Sequence, residues 1–182
     1  MTCDQTLHNR HSIRLKGYNY SLGGAYFVTI CSDNRKCLFG EIIDGAMRLN
    51  HAGELVAEEW IKTAAIRHEI ELDEWVVMPN HVHGILVITD GSGTGDRRCG
   101  GDRPVAPTGP QPRSIGAVMA GFKSAVTRRI NELRQMPGAK IWQRNYWEHI
   151  VRNESELNRI REYNRNNPAR WECDKLFPDR CF

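Results

Sequence analysis

Two histidines separated by a single residue, His81-Val82-His83, lie inside the run from Trp75 to Ile88 and are the side chains best placed to do chemistry. The apolar residues after Pro79 read as a buried strand, in which successive side chains alternate between faces. His81 and His83 therefore project together and Val82 points the other way. Neutral imidazole is a common ligand of divalent metals, and a strand holds both rings rigidly, so the pair could supply two ligands to a metal site. Read alone, it is equally compatible with two histidines that share a polar face.

A second candidate is Tyr163, near the end of a polar, Arg-bearing helical stretch. Residues 113–170 hold twelve Lys/Arg against five Asp/Glu, although the whole chain carries a formal charge of only +3. A basic C-terminal half on a nearly neutral protein suits contact with a phosphate backbone, because Lys and Arg gain there by releasing counterions. An Arg-rich solvated helical surface is the plainer explanation. The His pair, the basic half and the tyrosine together fit metal-assisted attack of a phenol oxygen on a DNA phosphodiester. The metal would polarise the scissile phosphate, and the phenol, with an ordinary pKa of about 10, would need deprotonation or metal assistance. The plainer role for Tyr163 is a half-buried ring that anchors its helix with the hydroxyl at the rim.

The elements that must position these groups follow from periodicity. Tyr26 to Cys31 is β-branched and aromatic and reads as a strand, and Asp44-Gly45 makes a hairpin turn inside Leu38 to Leu49. Ala52 to Ile66 places Leu55, Val56, Trp60, Ile61 and Ala64 at helical spacing. Ile70 to Met78 should pair antiparallel with His81 to Ile88 across the Met78-Pro79-Asn80 turn. Ser114 can cap a helix with a buried face of Ile115, Val118, Met119, Phe122, Val126, Ile130 and Leu133, on which Lys123, Arg128 and Arg129 occupy other positions. A last helix starts at Asn153, with Glu156 in capping-box spacing, and stops near Asn167 because Pro168 disfavours helical geometry before it. Arg159, Tyr163 and Asn167 are each four apart and share one face. The order strand, hairpin, helix, two strands, two helices implies an α+β domain with helices over one face of an antiparallel sheet.

The chain of 182 residues is one domain by length, with a mobile insertion at 90–112, where Gly and Pro dominate and large apolar side chains are nearly absent. No apolar run reaches the ~20 residues a membrane span needs, and no secretory signal opens the chain, so the expected location is the cytoplasm. The six cysteines contain no Cys-x-x-Cys pair, which argues against a zinc ribbon or thioredoxin-type site and for reduced thiols.

Three ordered blocks carry a family resemblance: Asp73 to Ile85 around the His pair, Ile141 to His149, and Arg161 to Pro168. Together they resemble the single-tyrosine HUH transposases, in particular the REP-associated tyrosine transposase (RAYT) branch, over about Tyr18 to Trp171. The resemblance implies a ferredoxin-like antiparallel sheet with helices on one face plus a C-terminal helix carrying the tyrosine. It further implies binding of single-stranded or hairpin DNA, with cleavage and rejoining through a covalent 5′-phosphotyrosine. On that likeness His81 and His83 are the metal pair, Tyr163 the nucleophile, and Asn167 a third metal ligand, although Asn167 fits a helix C-cap equally well. Mg²⁺ or Mn²⁺ is the implied ion, even though two imidazoles are unusual company for Mg²⁺. Lys123, Arg128, Arg129, Arg144 and Arg159 are the candidates for holding DNA, by a monomer or a homodimer. The alternatives are a domesticated, catalytically silent hairpin-binding protein, or a metal-dependent hydrolase with Tyr163 as bystander. The second is disfavoured because Gly84-Ile85 stands where a His-x-His-x-Asp-His hydrolase would have its Asp-His.

Overall fold

The computed structural model describes residues 23–89 and 114–178. The insertion at 90–112, Tyr18, Tyr20, Cys3, Cys99 and Cys181 lie outside the described residues. The elements run β1 (Gly24–Cys31), β2 (Gly40–Ile43), β3 (Ala46–Leu49), α1 (His51–Ile66), β4 (Ile70–Met78), β5 (His81–Ile88), α2 (Ile115–Arg134), β6 (Trp147–Val151) and α3 (Glu154–Asn166). The main sheet has the order β4-β5-β1-β6 and is antiparallel throughout, while β2 and β3 form a separate hairpin. With the hairpin set aside, β1-α1-β4-β5-α2-β6 around central β1 and β5 is the ferredoxin-like arrangement. Strand β6 is the element that periodicity misses. It is five residues long and interrupted by Glu148 and His149, and it becomes a strand because β1 has a free edge there, pairing Thr29 with Trp147 and Ala25 with Val151.

Strand alternation sorts the two faces of the sheet. Tyr26, Val28 and Ile30 of β1 and Val82, Leu86 and Ile88 of β5 join Trp60 of α1 and Met119 and Phe122 of α2 in the main core. The opposite face carries a small cluster of Phe27, Ile85 and Ile160, the last from α3. Thus α1 and α2 cover one face, α3 covers the other, and His81 and His83 point toward α3. Helices α2 and α3 start at the expected caps, and α1 starts at His51 behind Asn50, slightly before the expected Ala52. Asn50, Ser114 and Asn153 accept hydrogen bonds from the backbone N–H of Gly53, Ala117 and Glu156. The Glu156 carboxylate reaches back to the N–H of Arg152, one residue earlier than in a regular capping box.

Gly84, between His83 and Ile85, lies against the main core, and a Cβ there would overlap the Trp60 indole. Trp60 is fully buried and meets Phe122 edge-on at 5.0 Å, so it has little room to move. Gly84→Ala should therefore cost about 1–3 kcal/mol of stability, the usual range for overpacking. Urea denaturation checks this, and an unchanged midpoint would mean that the indole swings aside. Cys31 and Cys173 are free thiols. Among the described residues no helix is long and apolar enough to cross a membrane.

Candidate functional site

The orientation of His81 is set by a chain of hydrogen bonds that leaves one nitrogen bare. The Asn80 amide donates through Nδ2 to the carbonyls of Arg35 (3.2 Å) and Leu176 (2.8 Å), which identifies Oδ1 as the atom facing His81. His81 Nδ1 lies 2.7 Å from that oxygen and must donate to it, so Nε2 carries a lone pair. Nε2 is buried and has no partner among the described residues. Burial, and secondarily the nearby Arg35 charge, push the His81 pKa down to about 3, so the ring is neutral. His83 is also held well below its usual value, by burial first and then by His81. Its Nδ1 is 2.8 Å from Thr29 Oγ1 and its Nε2 is 3.2 Å from the Tyr163 hydroxyl.

Tyr163 projects from α3 over this pair, 44% exposed, with its ring 5.3 Å from that of His83 and edge-on to Phe27 at 6.2 Å. Its hydroxyl donates to Asp174 Oδ2 at 3.1 Å, and the same oxygen accepts from Asn167 Nδ2 at 2.9 Å. Burial, followed by the Asp174 charge and hydrogen bond, pushes the phenol up to about 12. Asp174 Oδ1 accepts from the N–H of Leu176, so the carboxylate is fixed at both oxygens. His81, His83 and Asp174 bring ligand atoms within 4.8 Å of one another. This trio suits a divalent cation: a bare imidazole lone pair is buried with nothing to accept, and a carboxylate completes a mixed N/O donor set. For His83 to offer Nε2 it needs the tautomer with Nδ1–H on Thr29, whose hydroxyl accepts as readily as it donates.

Asp174 is the site residue that sequence reasoning misses. It follows a 3₁₀ stretch, Pro168–Cys173, that brings the chain back toward Tyr163 and Asn167, and Ala169 there lies near Gly45 at the tip of the β2-β3 hairpin, where an added Cβ would just reach it. Pro168 announces the end of the helix, but nothing local announces the return. Asn167 is the C-cap of α3 and orients Asp174 through Nδ2, while its own Oδ1 is buried without a partner among the described residues.

The helix that carries Tyr163 is tied to the edge strand β4. The β4-β5 register shifts between Leu72 and Trp75, and the residues in that irregularity, Asp73 and Glu74, turn toward α3. Arg161 makes a forked contact with the Asp73 carboxylate at 2.6–3.2 Å, Asn164 Nδ2 donates to the Glu74 carbonyl at 2.9 Å, and Arg165 pairs with the Glu74 carboxylate at 2.8 Å. The hydrogen bonds from Arg161 hold the Asp73 carboxyl below its ordinary value of 3.8. A depressed carboxylate contributes stability above its unfolded pKa and loses it as pH falls through the folded one. Asp73→Asn should accordingly lower the melting temperature at pH 7, and the gap to wild type should close as pH falls below 3.8. Thermal melts across that range check it, and a pH-independent gap would mean that the amide disturbs something other than the ion pair.

The expected DNA contacts divide. Arg159, 78% exposed, lies one turn before Tyr163 and helps line a groove of about 810 Å³ that also includes Trp147, His149, Arg170 and Lys175. A second groove of about 510 Å³ lies on the other side of Tyr163, lined by Thr29, His83 and Tyr146 among others, and exposed Arg144 sits between Gln143 and Asn145, which also line it. Lys123 instead donates to the carbonyls of Gln143, Arg144 and Asn145, holding the turn that enters β6. Arg129 pairs with Glu58 and Glu59 of α1 at 2.7 Å each, and Arg128 faces Glu132 at 3.9 Å on α2. The α2 arginines thus lie on the sheet face away from the tyrosine. His149 is hydrogen-bonded to Glu156 at 2.8 Å, Tyr26 is core, and Tyr146 packs against the core.

No protein-family model matches the chain. An uncharacterised protein of Haemophilus influenzae is 40% identical over 177 residues, which is 95% of this chain and 96% of that protein. Among solved structures, a REP-associated tyrosine transposase bound to a REP hairpin superposes with a TM-score of 0.58 at 21% identity, covering 87% of this chain and 74% of that one.

Proposed function

Since the chain belongs to the same family as the Haemophilus influenzae protein and shares the fold of a REP-associated tyrosine transposase, we propose that it is a metal-dependent DNA strand transferase of the RAYT branch. It acts on single-stranded DNA beside a hairpin, and Tyr163 is the nucleophile. The observation that carries this reading is the contact of the Tyr163 hydroxyl with both His83 Nε2 and Asp174 Oδ2. A nucleophile and a metal-binding trio meet at one point, flanked by grooves on either side.

Binding of Mg²⁺ or Mn²⁺ by His81, His83 and Asp174, with Asn167 Oδ1 beside them, would polarise a scissile phosphate and stabilise the departing 3′ oxygen. The chain's own residues do the rest. The phenol oxygen attacks phosphorus, its proton leaves along the hydrogen bond toward Asp174 Oδ2, and the bond from phosphorus to the 3′ oxygen breaks. That oxygen takes up a proton from solvent and departs as a hydroxyl, and the 5′ phosphate stays esterified to Tyr163. The reverse attack by a 3′ hydroxyl rejoins DNA. Asn167 and the Leu176 N–H keep the carboxylate in place, and the β4 clamp fixes the height of α3 above the imidazoles. Arg159 and Arg144 hold flanking phosphates, and such contacts position DNA without reading its sequence.

The test is direct. Hairpin DNA with single-stranded tails is incubated with protein and Mn²⁺, denatured, and examined for protein that migrates with covalently attached DNA. A 3′-hydroxyl fragment without any adduct would point to hydrolysis by water and remove the tyrosine from the chemistry.

A further inference from the structure

Trp147 and Tyr163 are the two exposed large aromatic residues among the described residues, at 43% and 44%, and they lie on the same face of the sheet. Phe27 bridges them, edge-on to Trp147 at 5.7 Å and to Tyr163 at 6.2 Å, which sets the indole at a fixed reach from the nucleophile. The indole is parallel to the His149 ring, with planes 5° apart and centroids 5.8 Å apart, and Glu156 holds that imidazole at 2.8 Å. Trp147 also borders both grooves that flank Tyr163. A tryptophan kept for packing would sit in the core as Trp60 does, whereas Trp147 stands on an edge strand with much of its ring in solvent.

We infer that Trp147, braced by His149, is a stacking seat for one unpaired nucleobase next to the bond attacked by Tyr163. The inference rests on the DNA-processing reading above and adds to it a residue that binds a base rather than a phosphate. The charges nearby fit a nucleic acid better than an apolar protein partner. Arg159, Arg170 and Lys175 line the same groove; of the two carboxylates there, Glu156 is engaged by His149 and by the N–H of Arg152, and Asp174 by Tyr163, Asn167 and the N–H of Leu176. A cationic groove with an aromatic platform is the general solution for single-stranded nucleic acid, because every base offers a π face and the backbone offers charge.

The experiment measures binding, not cleavage, by fluorescence anisotropy of hairpin DNA with single-stranded tails, in a Tyr163→Phe background. Trp147→Leu keeps apolar bulk without a comparable ring and should weaken binding about 5- to 100-fold, while Trp147→Phe should stay within about threefold of the parent. An abasic site walked along the tails should abolish the Trp147→Leu penalty at one nucleotide and leave it intact elsewhere. Unchanged affinity for Trp147→Leu, or a penalty indifferent to the abasic position, overturns the inference. Should Trp147→Leu not fold, Trp147→Tyr and Trp147→Met provide the same comparison of ring against bulk. A penalty that maps to one base, together with no adduct from the protein that retains Tyr163, would sink the strand-transfer reading alone. An adduct without any penalty would sink the stacking seat alone.

Discussion

Tyr163→Phe protein should bind hairpin DNA as tightly as wild type and form no covalent adduct. The ring keeps its edge contact with Phe27 and its place against His83, so phenylalanine fills the same volume. What disappears is an oxygen that donates its proton to Asp174 Oδ2 and lies 3.2 Å from His83 Nε2. Asp174 retains the Asn167 amide and the Leu176 N–H, so its charge is not left without a partner. Removing a nucleophile from a group that acts as a unit typically costs far more than removing any supporting residue, and adduct formation should fall by about 10³-fold or more. Because burial and Asp174 push the phenol up to about 12, Tyr163 is protonated at neutral pH and has to lose its proton in the reaction. Tyr146 packs against the main core, whereas it is the Tyr163 hydroxyl that meets His83 and Asp174, so Tyr146→Phe should still form the adduct. Peptide mapping decides: DNA found on any residue other than Tyr163 assigns the nucleophile wrongly.

The second large effect concerns the cation. His81→Ala should reduce Mn²⁺ affinity by more than about 100-fold, since even residues that merely support a ligand cost 10- to 100-fold when removed. Asp174→Ala should behave similarly. Asn167→Ala should cost about tenfold if its main task is to hold Asp174, and as much as His81→Ala if its unpartnered Oδ1 is itself a ligand. Isothermal titration with Mn²⁺ separates these outcomes, and a chelator should stop cleavage in the unaltered protein. DNA affinity should survive each change, because Arg159, Arg144 and Trp147 are separate from the trio. Mn²⁺ binding by His81→Ala protein at wild-type strength would place the ion elsewhere and leave the buried imidazoles without a ligand role.

Which side of the sheet His81 and His83 occupy, and that Tyr163 shares a helix face with Arg159 and Asn167, is determined by the sequence alone, because both follow from local backbone periods of two and 3.6 residues. The helix starts at Asn50, Ser114 and Asn153 are equally local, since a cap satisfies N–H groups two or three residues away. Strand β6 is not of this kind: a short, polar-interrupted segment pairs only because β1 offers it an open edge. The fates of the basic residues needed tertiary structure as well. Lys123 and Arg129 look like free charges on a helix, but the carbonyls and carboxylates that engage them come from twenty or more residues away. Asp174 shows the limit most clearly. Its place beside His81 and His83 depends on a 3₁₀ turn that lies near the β2-β3 hairpin, and proximity built from segments so far apart in the chain leaves no period or spacing to read.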